Sequence, residues 1–294
     1  MKHKIHLPLY GQLRPHVSFS EIGMFNTCQW KWALRNVFQI YTEERALAME
    51  FGSAVHSGME FLYGGEQIAD PAEAAKHALE KLEKNLEGLD LNESEKEELP
   101  NLREMMPKFF VDILACPDLD GIRPLKSELK LFEPIARTDG LDVKFKGFID
   151  FIFVKKLKRK TVIYIADFKT CKWGWPAQKL QDIKVIAQIL LYKHFFCKLT
   201  GADPKNVTAA YILLKKAPRK NDASIEVIKV SAGPKTTMRA IEYLQDTITA
   251  MHRYSYEKNY EACVTSWTDA KTKQIKSFSC PYLGKECEGS TQTG

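Results

Sequence analysis

No stretch of these 294 residues approaches the roughly 18 uninterrupted apolar residues that a membrane-spanning helix needs. The nearest, Val185 to Cys197, is broken by Gln188, Lys193 and His194. The opening Met1-Lys2-His3-Lys4-Ile5-His6 has no apolar h-region, so a secretory signal is not expected. Cysteine is sparse and odd in number, seven in all, which favours reduced thiols or metal ligation inside a cell over a disulfide framework. The expected location is the cytoplasm, or a host cell's cytoplasm if the gene is viral. No Gly-x-x-x-x-Gly-Lys-Ser/Thr loop occurs, so the chain carries no ATP motor of its own. Repeats and low-complexity linkers are missing too, and nothing forces a second domain.

What remains is an ordinary globular composition, 45% hydrophobic and 27% charged, in a chain long enough to bury a core without staples. The net charge of +6 is unevenly placed. Between Asp70 and Pro100 ten acids face four lysines, which leaves +12 on the rest of the chain. A basic body suits an anionic polymer partner.

Periodicity divides the chain. Ser18 and Glu21 form a capping-box pattern that opens a helix through Ile22, Phe25 and Trp30. Further helices are expected over 50–63, from Asp70-Pro71 onward, and over 102–114. The period then changes to two, predicting strands over 126–135, 143–154 and 161–170. A helix over 176–199, strands over 207–215 and 224–231, and a helix over 234–258 complete the pattern. This order implies an α/β sandwich around a mixed sheet. A helical region over 1–125, a core over 126–260 and a cysteine-bearing segment with its tail over 261–294 are the expected divisions.

The hairpin between Val143 and Thr170 holds the chemistry. Its basic turn is centred near Lys158, which sets Asp150 about opposite Asp167, and Lys169 points to the same face as Asp167. Two carboxylates so close repel unless a cation lies between them, and oxygen donors suit Mg²⁺ or Mn²⁺ better than Zn²⁺. An Asp–Lys ion pair with Asp150 capping a turn explains the same spacing, and geometry leaves both readings open. The basic runs 155–160 and 215–220 are expected to be solvated turns.

Gly147-Phe148-Ile149-Asp150 followed by Ala166-Asp167-Phe168-Lys169-Thr170 resembles the active-site core of the PD-(D/E)XK nucleases. The likeness is to their RecB-type exonuclease branch, which includes the CRISPR-adaptation nucleases. Three more segments match that branch in order: Ser18 to Cys28 its opening helix, Gly52 to His56 its Gly-x-x-x-His motif, and Gln188 to Tyr192 its Gln-x-x-x-Tyr motif. No proline precedes Asp150, a departure that the branch often shows. The resemblance implies a restriction-endonuclease-like mixed β-sheet core flanked by helices, with a helical N-terminal elaboration. It implies that His56, Asp150, Asp167 and the Phe168 carbonyl ligate a metal, and that Asp150, Asp167 and Lys169 are catalytic. Gln188 and Tyr192 would orient the site or contact the DNA. Glu128 matches an acidic position of many relatives and would bind metal through water, unless it pairs with a nearby lysine.

In part of this branch one early and three late cysteines hold an iron–sulfur cluster, and Cys28, Cys263, Cys280 and Cys287 resemble that set. Zinc on the same thiolates, or no metal, are the alternatives. Cys116, Cys171 and Cys197 look like buried thiols. The implied activity is a Mg²⁺- or Mn²⁺-dependent DNA exonuclease of recombination, repair or replication, working on DNA beside a separate helicase or recombination protein. A structure-specific endonuclease of the same fold and a non-catalytic DNA-binding or assembly protein are the rivals.

Overall fold

The structure is a computed structural model that describes residues 15–42, 46–136, 142–158, 160–220, 222–252, 256–259 and 280–282, with the backbone of 264–268 and 275–279. The chain forms two compact units, one of residues 45–133 and 146–241, the other of 1–44, 134–145 and 242–294. No helix among the described residues is long and apolar enough to cross a membrane.

The smaller unit opens with β1 (His16–Ser18) and α1 (Phe19–Thr27). The capping box forms as read: Ser18 Oγ accepts the Glu21 N–H, and Glu21 Oε2 accepts the Ser18 N–H. The helix does not run on to Trp30. Cys28 adopts an extended backbone and a second helix, α2 (Gln29–Asn36), restarts with the Cys28 sulfur accepting the Lys31 N–H. Tyr256 and Tyr282 of the C-terminal part pack here. Trp32 meets Phe25 edge-on at 5.2 Å and Tyr256 at 5.5 Å, and the Tyr282 hydroxyl donates to the Ile40 carbonyl.

The larger unit contains α3 (Leu47–Tyr63), α4 (Pro71–Leu86), α5 (Glu93–Leu114), β2 (Ile122–Pro134), β3 (Lys144–Lys156), β4 (Thr161–Cys171), α6 (Ile183–Thr200), β5 (Val207–Lys215) and β6 (Ile225–Val230). After β6, α7 (Pro234–Met251) leads toward a ribbon of β7 (Val264–Thr268) and β8 (Ile275–Ser279), which the alternation did not reveal. The α4 start follows the sequence, with Asp70 capping the Ala72 and Glu73 N–H groups and Pro71 in the first turn. Helix α5 begins nine residues earlier than the pattern suggested, because Asn92 and Glu95 form a second capping box. It continues through Pro100 and Pro107, with Leu99, Leu102, Met106, Phe109, Phe110 and Ile113 buried on one face. Burial of that stripe outweighs the two backbone hydrogen bonds that proline cannot make.

The sheet is mixed, as the element order implied. It has six strands, and five of them run in the order β1-β3-β4-β5-β6 with β2 also paired to β3. Strands β3 and β4 are antiparallel, β4 and β5 parallel, β5 and β6 antiparallel. A parallel pair cannot be joined by a tight turn, so α6 makes the crossover. Phe51, Val55 and Met59 of α3 bury with Phe110, Phe151, Phe168 and Ile212. Tyr63 stacks on Phe151 at 4.3 Å. Gly58 permits this closeness: a Cβ there would lie 2.4 Å from Phe110 Cζ and 2.8 Å from Ala78 Cβ.

Candidate active site

The β3–β4 hairpin has the register that its turn implied. Its last paired residues are Phe151 and Ala166, one position short of Asp150 and Asp167. Where the ladder stops, side chains take over its hydrogen bonds. The Phe168 N–H donates to Asp150 Oδ2 at 2.9 Å, and the Phe168 carbonyl lies 2.9 Å from His56 Nε2. The N–H and C=O of one strand residue point to the same edge, so Phe168 holds both side chains at the open edge of β4.

The Gly-x-x-x-His spacing acquires a reason here. Residues four apart share one helix face. Gly52 of α3 lies over Thr170, with a Cβ position 3.7 Å from its hydroxyl, and His56 one turn later reaches Phe168. The helix therefore crosses the end of β4 with its small residue at the crossing.

A carbonyl only accepts, so His56 Nε2 must carry the proton of that bond. In the neutral ring Nδ1 is then a lone pair, 3.3 Å from Asp150 Oδ2. Two acceptors in that contact need a proton or a cation between them. Burial lowers the His56 pKa, more than Asp167 raises it. Burial, then the charge of Asp167, pushes Asp150 well above the usual carboxylate range, against the opposing pull of Lys169.

Glu128 joins these two residues. Donor atoms of His56, Glu128 and Asp150 all lie within 4.8 Å of one another. Glu128 is at φ +50°, a left-handed conformation that costs a non-glycine residue about 1–2 kcal/mol, held here inside a strand. Burial, then the carboxylates of Glu60 and Asp167, raises its pKa. A lysine partner was the favoured expectation for Glu128; the fold puts it with the acids instead.

Asp167 is buried, 1% exposed, and its Oδ2 lies 2.6 Å from Lys169 Nζ. The two side chains share a face because they are two apart on β4. Burial works against the Lys169 charge, but Asp167 and Asp150 together outweigh it and the ammonium pKa rises. The Asp–Lys ion pair that the sequence offered is present; among the described residues the group of possible metal-ligating atoms within 4.8 Å is His56, Glu128 and Asp150, without Asp167.

Gln188 and Tyr192 of α6 face this cluster as a pair, Gln188 Nε2 donating to the Tyr192 hydroxyl at 3.1 Å. Tyr192 is only 5% exposed, and burial, then Asp167, raises its pKa. It therefore lies behind the carboxylates. Tyr211 was not anticipated. It stands beside Asp167 in the β4–β5 register, fully buried, its hydroxyl donating to the Val185 carbonyl at 2.8 Å. Only the register of a parallel pair 44 residues apart in sequence reveals it.

Of the four late and early cysteines, Cys28 and Cys280 are buried in the smaller unit, while Cys263 and Cys287 lie outside the described residues. Cys28 Sγ accepts N–H groups from Lys31 at 3.4 Å and Asn259 at 3.5 Å. Cys116 is buried as expected, whereas Cys171 and Cys197 are half-buried. The second basic turn is solvated at Arg219 and Lys220, which are exposed, but not at its start. Lys215 closes β5, buried against Glu226 at 3.3 Å, and Lys216 pairs with Glu98 at 2.8 Å. Lys155 of the first run donates to the Asp118 carbonyl.

The family model described as the PD-(D/E)XK nuclease superfamily matches residues 16–282. No curated protein matches the chain.

Proposed function

The chain belongs to the PD-(D/E)XK nuclease superfamily, whose nucleases use divalent metals, and from that membership we propose that it is a Mg²⁺- or Mn²⁺-dependent DNA exonuclease of the RecB-type branch. The supporting observation is the convergence of His56, Glu128 and Asp150 within 4.8 Å, next to the Asp167–Lys169 pair at 2.6 Å. The donor set fits a hard divalent cation: carboxylate oxygens, one imidazole nitrogen, and a half-buried 3.3 Å contact between the neutral ring's Nδ1 and a carboxylate oxygen. His56, Glu128 and Asp150 would hold the ion, with Asp167 and the Phe168 carbonyl alongside. Once bound it would supply Lewis acidity toward a phosphate oxygen.

The chain's own groups supply the rest. Lys169 stays protonated because Asp167 raises its pKa, and its side chain is one-third exposed, so its ammonium can meet charge growing on a scissile phosphate. Phe168 fixes the His56 ring through its C=O and the Asp150 carboxylate through its N–H. Gln188 and Tyr192 support the cluster from behind, in positioning roles. Water attacks the phosphodiester in line, without a covalent enzyme intermediate. The cellular setting proposed is cytoplasmic recombination, repair or replication, beside a separate helicase or recombination protein.

A [4Fe–4S] cluster on Cys28, Cys263, Cys280 and Cys287 is the companion proposal, with zinc as the rival metal. It is supported by the buried Cys28 and Cys280 thiols in one unit and by the two N–H groups on Cys28 Sγ. Iron, sulfide and zinc analysis of anaerobically purified protein tests it; a colourless, iron-free sample overturns it.

Digestion of end-labelled single- and double-stranded linear DNA with Mn²⁺, Mg²⁺ or chelator, beside a closed circle, tests the main reading. Linear DNA should be degraded with metal only, and the circle should survive. Cutting of the circle assigns an endonuclease. Failure to cleave any DNA under either metal overturns the catalytic reading in favour of a DNA-binding or assembly protein.

A further inference from the structure

The segment joining β4 to α6 links the two elements that carry the candidate catalytic groups. It reads Cys171-Lys172-Trp173-Gly174-Trp175-Pro176-Ala177-Gln178-Lys179 and holds two of the chain's five tryptophans. From Thr170 to Gln181 it contains no acidic residue.

Trp173 is 51% exposed, and Lys172 Nζ lies 4.8 Å from its ring centroid. Trp175 is half-buried, with Lys179 Nζ 4.1 Å from its ring centroid. Its other neighbour is Tyr211, at 4.8 Å, the residue beside Asp167 in the β4–β5 register. A line of contacts thus runs from the loop to the catalytic strand. Along the chain, Trp173 is four residues beyond Lys169, at most about 14 Å away.

The loop is held in place. The Lys216 N–H donates to the Cys171 carbonyl at 2.8 Å, and the Ala217 N–H to the Lys172 carbonyl at 2.9 Å. Gly174 sits at φ +119°, which only glycine adopts freely, and a Cβ there would lie 3.2 Å from Glu226 Oε2. A single exposed aromatic is unremarkable. Here two tryptophans, each with a lysine over its ring, lie on a pinned turn that continues the strand carrying Asp167 and Lys169.

We infer that Trp173 and Trp175, with Lys172 and Lys179, form a stacking platform for unpaired bases of single-stranded DNA leading into the active site. The substrate identity rests on the nuclease reading. Stacking needs open base faces, which a duplex hides and a single strand offers, and the lysines sit where the strand's phosphates pass. Duplex ends would be engaged only where they fray or carry a single-stranded overhang.

Binding without cleavage tests this. Fluorescence anisotropy of a labelled dT oligonucleotide, with the full chain and no divalent metal, should show W173A binding roughly 5- to 100-fold more weakly than wild type. W173F should retain most of the affinity, and blunt duplex binding should change little. Oligonucleotides with one abasic residue, scanned along the strand, should weaken wild-type binding at a single position to which W173A is indifferent. Equal affinity of W173A and wild type for single strands, equal losses for duplex and single strand, or a scan with no sensitive position overturns the platform. If W173A melts far below wild type, W173F and the wild-type abasic scan decide the matter alone. A wild type that stacks bases through Trp173 but cleaves nothing sinks the nuclease reading only, and one that cleaves with binding unmoved by W173A sinks the platform only.

Discussion

His56 Nδ1 lies 3.3 Å from Asp150 Oδ2, an oxygen that already accepts the Phe168 N–H. With the neutral ring's one proton on Nε2, donated to the Phe168 carbonyl, this contact is between two acceptors and needs a proton or a cation between them.

Metal and proton should compete for that position. The Asp150 pKa is raised in the folded chain, so the native state binds more protons than the unfolded one between the ordinary carboxylate value and the raised one. Without metal, this group's contribution to stability falls as pH rises through that window. Mn²⁺ should therefore raise the melting temperature more at about pH 8 than at about pH 6. Asp150→Asn keeps an acceptor for the Phe168 N–H without the buried charge. It should melt no lower than metal-free wild type and lose the Mn²⁺ shift.

Asp167→Ala should abolish cleavage and also leave Lys169 without its 2.6 Å partner. Lys169 is one-third exposed, so solvent takes up part of the charge and the cost should be about 1–3 kcal/mol by urea denaturation. Asp167→Ala combined with Lys169→Met should recover much of that stability and none of the cleavage. Unchanged cleavage by Asp167→Ala would defeat the mechanism.

Tyr192 is 5% exposed and takes its hydrogen bond from Gln188, so it acts through the cluster. Tyr192→Phe should lower kcat by about tenfold, roughly 1.4 kcal/mol in the barrier, with little change in KM. A rise in KM at constant kcat would instead make it a substrate contact.

Gly58→Ala would put a methyl group 2.4 Å from Phe110 Cζ and 2.8 Å from Ala78 Cβ. Overpacking of this kind costs about 1–3 kcal/mol, read as a lower urea midpoint with an unchanged m-value. A paired Phe110→Leu substitution should recover part of it. Because α3 carries His56, metal affinity should fall with the displacement of that helix.

Much of the candidate site was legible locally. Asp167 and Lys169 share a face because side chains alternate along a strand, and Gly52 and His56 because a helix repeats in under four residues. The turn centre near Lys158 set the hairpin register, and the structure pairs Phe151 with Ala166 accordingly. The break at Cys28 was not legible, because the helical pattern runs through it and only the extended backbone there shows two helices. The early start of α5 was hidden by a charged run ending in Pro100, although Asn92 and Glu95 carried the capping signal.

By itself, then, the sequence determined the order of elements from α3 to α7, the hairpin register and which polar side chains share a face, since each follows from covalent geometry over a few residues. The tertiary structure decided that Glu128 meets His56 and Asp150, that Tyr211 backs Asp167, and that Tyr192 lies inside rather than at the surface. Those placements depend on where α3, β2, α6 and β5 settle around β4. That docking is a sum of many weak apolar contacts between distant segments, and no short stretch of residues encodes it.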